Sequence, residues 1–464
     1  MFGVEVTVQN RVGNSEYGIY FTLFSISLLF NILLDLGINN FNNREIAKNK
    51  ILLEKYFSNI LGIKISLGIV YFLVCFATGK ILNYSPRYFS ILYILVLNQF
   101  LSYLILYLRS NVNGLLLFIS DSILSVLDKI IMILICSFLL WNSYFRNDFR
   151  IEWFIYAQTI SYIITAIVAW FIVNRNITSF AIRFDIRYFI HIIRKSIAFS
   201  LLALLMQLYS RPEPILLDKL LHDGKIQAGL YAQSYRMIDA FLNFLMLFTI
   251  LLLPLFSKIL SKKENINPLV KLGSKMMFVP TILLVSVCVI YNKEIMTLLY
   301  HNESSANVLK VVIMGLIGFT STLIYGTLLT ANNNLKQLNI IAASSIIVNI
   351  SLNLLLIPHF KAIGAAWSSF ITQSISGLIQ AIVAYKILNL KFQRSNIFMF
   401  IAWAIILIAF GVMTQRLLPW KIGIISLIAA GIISAISMGL LNVKELYSIA
   451  VARSNEEEIK NIRE

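Results

Sequence analysis

The side chains with chemical potential in this sequence are the charged and hydrogen-bonding ones that interrupt long apolar stretches. Arg211-Pro212-Glu213-Pro214 is the most informative group. The apolar run from Ser196 would be only about 15 residues if its helix stopped at Ser210, short of the roughly 20 a span needs. The helix is therefore expected to continue to about Leu217, with Arg211 below the membrane boundary. Two prolines remove backbone donors there and kink or break it. A broken helix carrying an arginine beside a cavity could bind an anion and hinge. The competing reading is an interfacial turn with Arg211 reaching to headgroups.

Other polar residues recur at helical spacing. Ser27, Asn31, Asp35 and Asn39 fall every four residues. Asp121, Ser125 and Asp128 follow the same logic, as do Arg236, Asp239 and Asn243, then Ser345, Asn349 and Asn353, then Ser369, Gln373, Ser376 and Gln380. Lys64 and Lys129 add isolated positive charges. A charge at mid-bilayer costs about 2.5–3.5 kcal/mol on insertion scales, so these residues must face protein or water. Hydrogen bonding between packed helices and lining of a hydrated cavity both account for the uncharged stripes. For Arg236, an ion pair with Asp239 at i,i+3 competes with contact to a substrate. Five striped helices in one bundle favour a wet interior, which is the mark of a transporter.

The elements that must position these residues are membrane spans. Hydrophobic residues make up 58% of the 464 and charged ones 13%, about half the charged share of a soluble domain. Thirteen apolar stretches are long enough to cross a bilayer: 17–40, 57–79, 88–108, 119–140, 152–173, 196–217, 228–255, 276–299, 308–330, 338–357, 362–385, 397–415 and 422–442. Alternating the connectors places 23 of the 39 Lys and Arg residues on one side against 10 on the other. The richer side is expected to be cytoplasmic, with the tail 443–464 on it. Residues 1–12 are too short and polar to cross, and are expected to be the remnant of a first helix. Residues 1–10 lack the pattern of a signal peptide.

Several function classes fit poorly. The net charge of +17 is spread over short connectors, which is how topology is written rather than a nucleic-acid patch. Cys75, Cys136 and Cys288 lie in apolar stretches without metal-ligand spacing. His191, His222, His301 and His359 sit at span ends or in connectors, with no acyltransferase spacing, and no Gly-rich nucleotide loop is present. No cofactor or metal is expected, and the chain does not read as an enzyme.

Two segments echo each other. Glu16-Tyr17-Gly18-Ile19-Tyr20 and Ala228-Gly229-Leu230-Tyr231-Ala232 each end an outer connector and open a long helix running inward. Both enter from one side, as in a parallel repeat. The first leads to Asp35-Leu36-Gly37-Ile38 and Asn43-Arg44. The second leads to Tyr235-Arg236, Asp239-Ala240 and Leu253-Pro254-Leu255-Phe256; Ile357-Pro358 and Ala362-Ile363-Gly364-Ala365-Ala366-Trp367 come later. In order and placement these resemble the multidrug/oligosaccharidyl-lipid/polysaccharide exporter superfamily, and within it the O-antigen-type polysaccharide flippases. The family's acidic residue after the arginine of the first C-lobe helix is matched only approximately by Pro212-Glu213-Pro214.

The resemblance implies an all-α polytopic bundle of two six-helix lobes around a central cavity, plus two C-terminal helices. The lobes would be 1–195, with its first helix incomplete, and 196–396; the extra helices would fall in 397–442. It implies that a polyprenyl-diphosphate-linked oligosaccharide crosses a bacterial cytoplasmic (inner) membrane by alternating access, for surface polysaccharide synthesis. Arginine offers phosphate a planar fork, so Arg211, Arg236, Lys64 and, at the cytoplasmic mouth, Arg44 are the candidates for the diphosphate. Asn31, Asn349, Asn353 and Gln373 suit the sugars, and Asp35, Asp239 or Asp128 could couple transport to H+ or Na+. Expected partners are the lipid-linked oligosaccharide, membrane lipids and polysaccharide polymerase machinery, not nucleic acid. The alternative on this scaffold is a cation-coupled multidrug or metabolite antiporter, for which acidic and aromatic linings would be favoured.

Overall fold

The computed structural model describes residues 2–39, 42, 43, 46, 52–145, 147–177, 186–391 and 394–441. Among them it is all helical. The helices are α1 (Phe2–Leu29), α2 (Leu52–Ile81), α3 (Pro86–Gly114), α4 (Phe118–Trp141), α5 (Ile151–Asn174), α6 (Ile186–Ser210) and α7 (Glu213–Leu220). There follow α8 (Gly224–Ser261), α9 (Asn267–Ile290), α10 (Asn292–Tyr300), α11 (Ala306–Ala331), α12 (Leu335–Ile387), α13 (Arg394–Leu417) and α14 (Trp420–Ser437). Ten of the helices among the described residues are long and apolar enough to cross a membrane. Large side chains such as Ile69, Leu73, Ile123, Leu134 and Ile347 face outward, as a lipid-facing surface requires. The protein is a multi-pass membrane protein.

Of the thirteen expected stretches, 276–299 runs across the break between α9 and α10, and three further differences are informative. The first is α12, which runs 53 residues because the stretches 338–357 and 362–385 are joined without a loop. The chain turns at Lys361 (φ 52, ψ −132), just after Pro358. The second is the stretch 17–40, which is not one helix. α1 ends at Leu29, and a 3-10 turn follows at Asn31–Leu34. Local hydrogen bonding explains the change, because Asp35 Oδ1 accepts the Asn39 backbone N–H at 3.1 Å, a competition that polar side chains offer the helix ladder. Leu36 and Gly37 complete the turn at positive φ. The stripe from Ser27 to Asn39 therefore does not lie on one continuous helical face. The third is α6, which does stop at Ser210 but starts at Ile186, so it is 25 residues long without extending through the prolines.

Residues 2–12 also form helix, separated from the rest of α1 at Gly13, whose φ of 81° only glycine adopts without strain. This short segment is well packed: Val4, Val6, Val8 and Gln9 are buried.

The chain divides into two compact units. The first contains residues 1–236, 299–301 and 335–372. Its α3 packs chiefly on α5, where Asn98 donates to the Ile155 carbonyl at 3.3 Å and accepts from Thr159 at 2.7 Å. Phe57, Ile60, Tyr107, Val112 and Leu124 form an apolar core. The second unit contains residues 237–298, 302–334 and 373–464. There α13 and α14 pack on α9 around Trp403, whose indole N–H donates to Ser434 Oγ at 2.9 Å. Tyr291 and Thr414 share a buried hydroxyl bond of 2.9 Å. α11 carries a π-helical turn at Thr322–Gly326, the kind of bulge often found at functional positions.

Candidate functional site

Among the described residues, buried charge in the first unit occurs in three places, at Lys64, Arg236 and Glu213. At the 3-10 turn, Lys64 of α2 is 3% exposed. Its Nζ donates to Asp35 Oδ1 at 2.6 Å and to the Leu34 carbonyl at 2.9 Å. The unwound turn thus supplies both a carboxylate and an unsatisfied carbonyl to one ammonium. Lys64 and Asp35, expected separately as a phosphate ligand and an ion-coupling acid, form one buried pair.

The second place is around Arg236 of α8, which is 7% exposed. Its guanidinium makes an ion pair with Glu5 and a hydrogen bond to the Tyr17 hydroxyl. It lies over the rings of Tyr17 and Phe21, 5.3 and 5.8 Å from their centroids. Glu5, from the short helical segment before Gly13, is thus an acid that Arg236 meets. Glu5 had no role in the sequence reading, because residues 2–12 were too polar to score as a span.

The third place is the break between α6 and α7. The backbone leaves the helix at Arg211 and Pro212 and resumes at Glu213. The Arg211 guanidinium sits 5.1 Å from the Tyr235 ring centroid. Glu213 is fully buried, and its Oε1 accepts from Asn349 Nδ2 at 3.0 Å. Asn349 also reaches Thr372 Oγ1 at 3.4 Å, while Asn353 Nδ2 donates to Asn349 Oδ1 at 2.9 Å. The expected stripe on α12 is real, and its amides serve a carboxyl group. A buried carboxyl held by neutral amides is costly as an anion without a cation or proton. Glu213 is the residue that sequence reasoning under-read; its signals were an acid between two prolines inside an apolar run and an approximate match to the family's acidic residue.

The echoing segments meet in this unit. A Cβ on Gly18 would fall 1.9 Å from the Lys225 carbonyl oxygen and 2.9 Å from the Gly229 nitrogen. One on Gly229 would fall 2.1 Å from the Asn14 carbonyl oxygen. The backbones of α1 and α8 therefore touch. Gln9 donates to the Gly229 carbonyl at 2.8 Å, and Gln233 to Asn14 Oδ1 at 2.9 Å.

Ion pairs bind neighbouring connectors in the same unit. Arg87 reaches Glu16 at 2.6 Å and Glu152 at 3.0 Å, and Lys361 reaches Asp223 at 2.9 Å. The Lys361 hydrogen bond, helped by Gln227, holds the Asp223 carboxyl below the usual carboxylate range. A depressed carboxylate contributes stability that is present above its unfolded pKa of about 3.9 and lost as pH falls through the lower folded value. Because both partners are substantially exposed, Asp223→Asn should cost less than about 1 kcal/mol at neutral pH. The difference from wild type in thermal unfolding should vanish under strongly acid conditions.

Asn31 is buried in the 3-10 turn. Asp128 pairs with its neighbour Lys129 at 3.3 Å, and Asp121 pairs with Arg109 at 2.7 Å. Gln373 and Asp239 belong to the second unit, where Gln373 is fully buried and Asp239 half-buried. Arg44 lies outside the described residues.

The sequence model of a family described as polysaccharide biosynthesis protein matches residues 1–260. The chain belongs to that family. A search among curated proteins finds no significant match. Among solved structures, the chain is similar to the lipid II flippase MurJ in an inward closed conformation, at TM-score 0.66 and 15% identity, covering 94% of this chain and 96% of that one. It is also similar to an inward-facing multidrug resistance MATE family transporter of the MOP superfamily, at TM-score 0.62 and 11% identity, covering 83% and 93%. A MOP superfamily transporter from Pyrococcus furiosus, described as having a binding pocket of reversed polarity, gives TM-score 0.58 and 13% identity, covering 82% and 89%. The polysaccharide biosynthesis family assignment and these folds establish the all-α exporter architecture and the expected superfamily.

Proposed function

We propose that the protein is a flippase that carries a polyprenyl-diphosphate-linked oligosaccharide from the cytoplasmic to the outer leaflet of a bacterial cytoplasmic membrane. The observation that carries this reading is Arg211, a permanent cation set where a span breaks and stacked on Tyr235. Stacking orients the guanidinium plane, and a planar fork is the cation best matched to phosphate oxygens. Membership in a polysaccharide biosynthesis family supports a glycan cargo.

Lys64 and Arg236 take part as exchangeable pairs. Asp35 and Glu5 neutralise them here, and a diphosphate would take the place of those carboxylates. The displaced acids, with Glu213, are then the groups that take up H+ or another cation. This gives coupling a physical route, because cargo and cation compete for the same charges. In this reading residues 1–195 and 196–396 act as the two lobes, 397–442 add two helices, and the C-terminus is cytoplasmic. Arg44 serves the cytoplasmic mouth, and Asn31, Asn349, Asn353 and Gln373 serve sugar hydroxyls or the residues that do. Asp239 and Asp128 remain secondary acids, and polymerase machinery takes the delivered glycan.

The test is flux of lipid-linked oligosaccharide in proteoliposomes. A charge-assisted contact is worth about 1.5–3 kcal/mol, so Arg211→Ala should slow flux roughly 10- to 100-fold. Arg211→Lys should recover only part, because an ammonium lacks the fork. In cells, deletion should leave lipid-linked glycan on the cytoplasmic leaflet, and the Arg211→Ala variant should fail to rescue. Wild-type flux by Arg211→Ala would remove the cargo assignment. Cation-driven export of organic cations by the wild-type protein, without glycan flux, would establish the antiporter instead.

A further inference from the structure

A pocket of about 430 Å³ opens on the first unit. Thr7, Asn10 and Arg11 of the short segment before Gly13 line one side. Leu140 and Trp141, the last turn of α4, line another, and His301, just past α10, closes it. The volume falls within the range of ligand sites, roughly 300–1,000 Å³.

We propose that this pocket binds a glycosyl phosphate headgroup, with Arg11 and His301 on the phosphate and Trp141 under the adjoining sugar ring. The chemistry is specific to that class. Arg11 and His301 make no side-chain hydrogen bond or ion pair among the described residues, unlike Lys64 and Arg236. Their donors are available to an anion. The indole of Trp141 is 67% exposed and offers a flat apolar surface to the C–H face of a pyranose. Asn10 donates its amide N–H to the Leu299 carbonyl at 2.7 Å, which leaves its amide oxygen to accept from a sugar hydroxyl. The Thr7 hydroxyl donates to Gly3 O at 2.8 Å and keeps its own lone pairs for the same purpose.

Two features show that the site is held in shape. The Asn10–Leu299 bond ties the short helix to the end of α10. His301 itself adopts φ 58°, a left-handed conformation uncommon for residues other than glycine and often associated with functional sites. An interfacial aromatic belt would account for Trp141 alone. It would not account for an arginine, an imidazole and two hydrogen-bonding side chains lining the same pocket.

The inference rests on the flippase reading for its biological sense. Residues 11–16, 141–151 and 300–307 are the connectors on the less basic side, so the pocket would receive the head of the cargo after translocation. A second anion site on the arrival side would draw the diphosphate off the interior cations, and polymerase machinery would collect the glycan there.

The experiment uses the full-length protein in phosphatidylcholine nanodiscs with 5-fluorotryptophan incorporated. Trp141→Phe assigns the Trp141 fluorine resonance, which reads this pocket and not the interior. Titration with N-acetylglucosamine 1-diphosphate should shift that resonance, and inorganic pyrophosphate should shift it less and at higher concentration. Arg11→Gln with His301→Gln should raise the half-saturating concentration about tenfold or more, the loss expected for charge-assisted contacts. The other five tryptophan resonances serve as a check that the variant is folded. No shift of Trp141 with either probe overturns the proposal. If nanodiscs containing phosphatidylglycerol produce the shift and block the sugar diphosphate, the pocket takes a phospholipid headgroup and the glycan assignment falls. Flux without a Trp141 response would sink the pocket and spare the flippase. A Trp141 response in a protein that moves no glycan would do the reverse.

Discussion

Placing a single methyl group on Gly18 or Gly229 should disable the protein. The atoms that a Cβ would strike belong to the backbone, Lys225 O at 1.9 Å and Asn14 O at 2.1 Å. No side chain can rotate away to relieve this, so α1 and α8 must separate. Overpacking costs about 1–3 kcal/mol in ordinary cores, occasionally more, and this contact belongs at the upper end. The helices are also tied beside the contact by Gln9 to Gly229 O and Gln233 to Asn14. Gly18→Ala, Gly229→Ala and especially Gly18→Val should therefore reduce glycan flux by tenfold or more. The structural readout is oxidative crosslinking between Asn14→Cys and Gln233→Cys, with the native cysteines replaced. The pair should couple readily, and Gly18→Val should abolish the coupling. Full crosslinking and full flux with Val at position 18 would show that the close approach is dispensable.

A comparable loss of stability is expected when Arg236 is removed. Glu5 would be left partly buried opposite two aromatic rings with no cation. Breaking one half of a buried pair costs about 3–5 kcal/mol, whereas replacing both halves by apolar groups is often neutral. Arg236→Met should thus lower the thermal unfolding midpoint in detergent sharply, and Glu5→Leu with Arg236→Met should restore much of it. The same contrast should appear for Lys64→Met against Lys64→Met with Asp35→Leu. The two classes of variant separate folding from transport. The double variants should be stable but slow in flux, because the proposed exchange of carboxylate for phosphate has been removed from them. Equal stability in single and double variants would mean that these contacts are held open to water.

What was legible beforehand follows from range along the chain. Hydropathy read over about 20 residues located the spans, including the two halves of α12, because burial in lipid imposes that length on each. The break at Arg211-Pro212 was legible because a proline acts on its own helix. The repeat of Asn349 and Asn353 was legible because helical spacing is local. Pairings were not. Asn349 and Glu213 lie 136 residues apart, and Lys64 and Asp35 lie 29 apart, one on α2 and the other in the turn after α1. Periodicity cannot see such contacts. It also mistook 17–40 for one helix, since Asn31, Asp35 and Asn39 have helical spacing whether or not their side chains capture the backbone. The glycine echo was visible in sequence, but its meaning, two backbones in contact, needed the third dimension.

The turn at Lys361 has a mechanical consequence. An ordinary loop between two spans acts as slack rope, letting either end wander before its neighbour feels a pull. Here a single left-handed residue joins the two arms of α12, and Gly364 lies against Leu356 so closely that a Cβ would come within 2.3 Å of its carbonyl oxygen. With no slack to take up, a swing of one arm must drag the other with it, and the joint behaves as a bell crank.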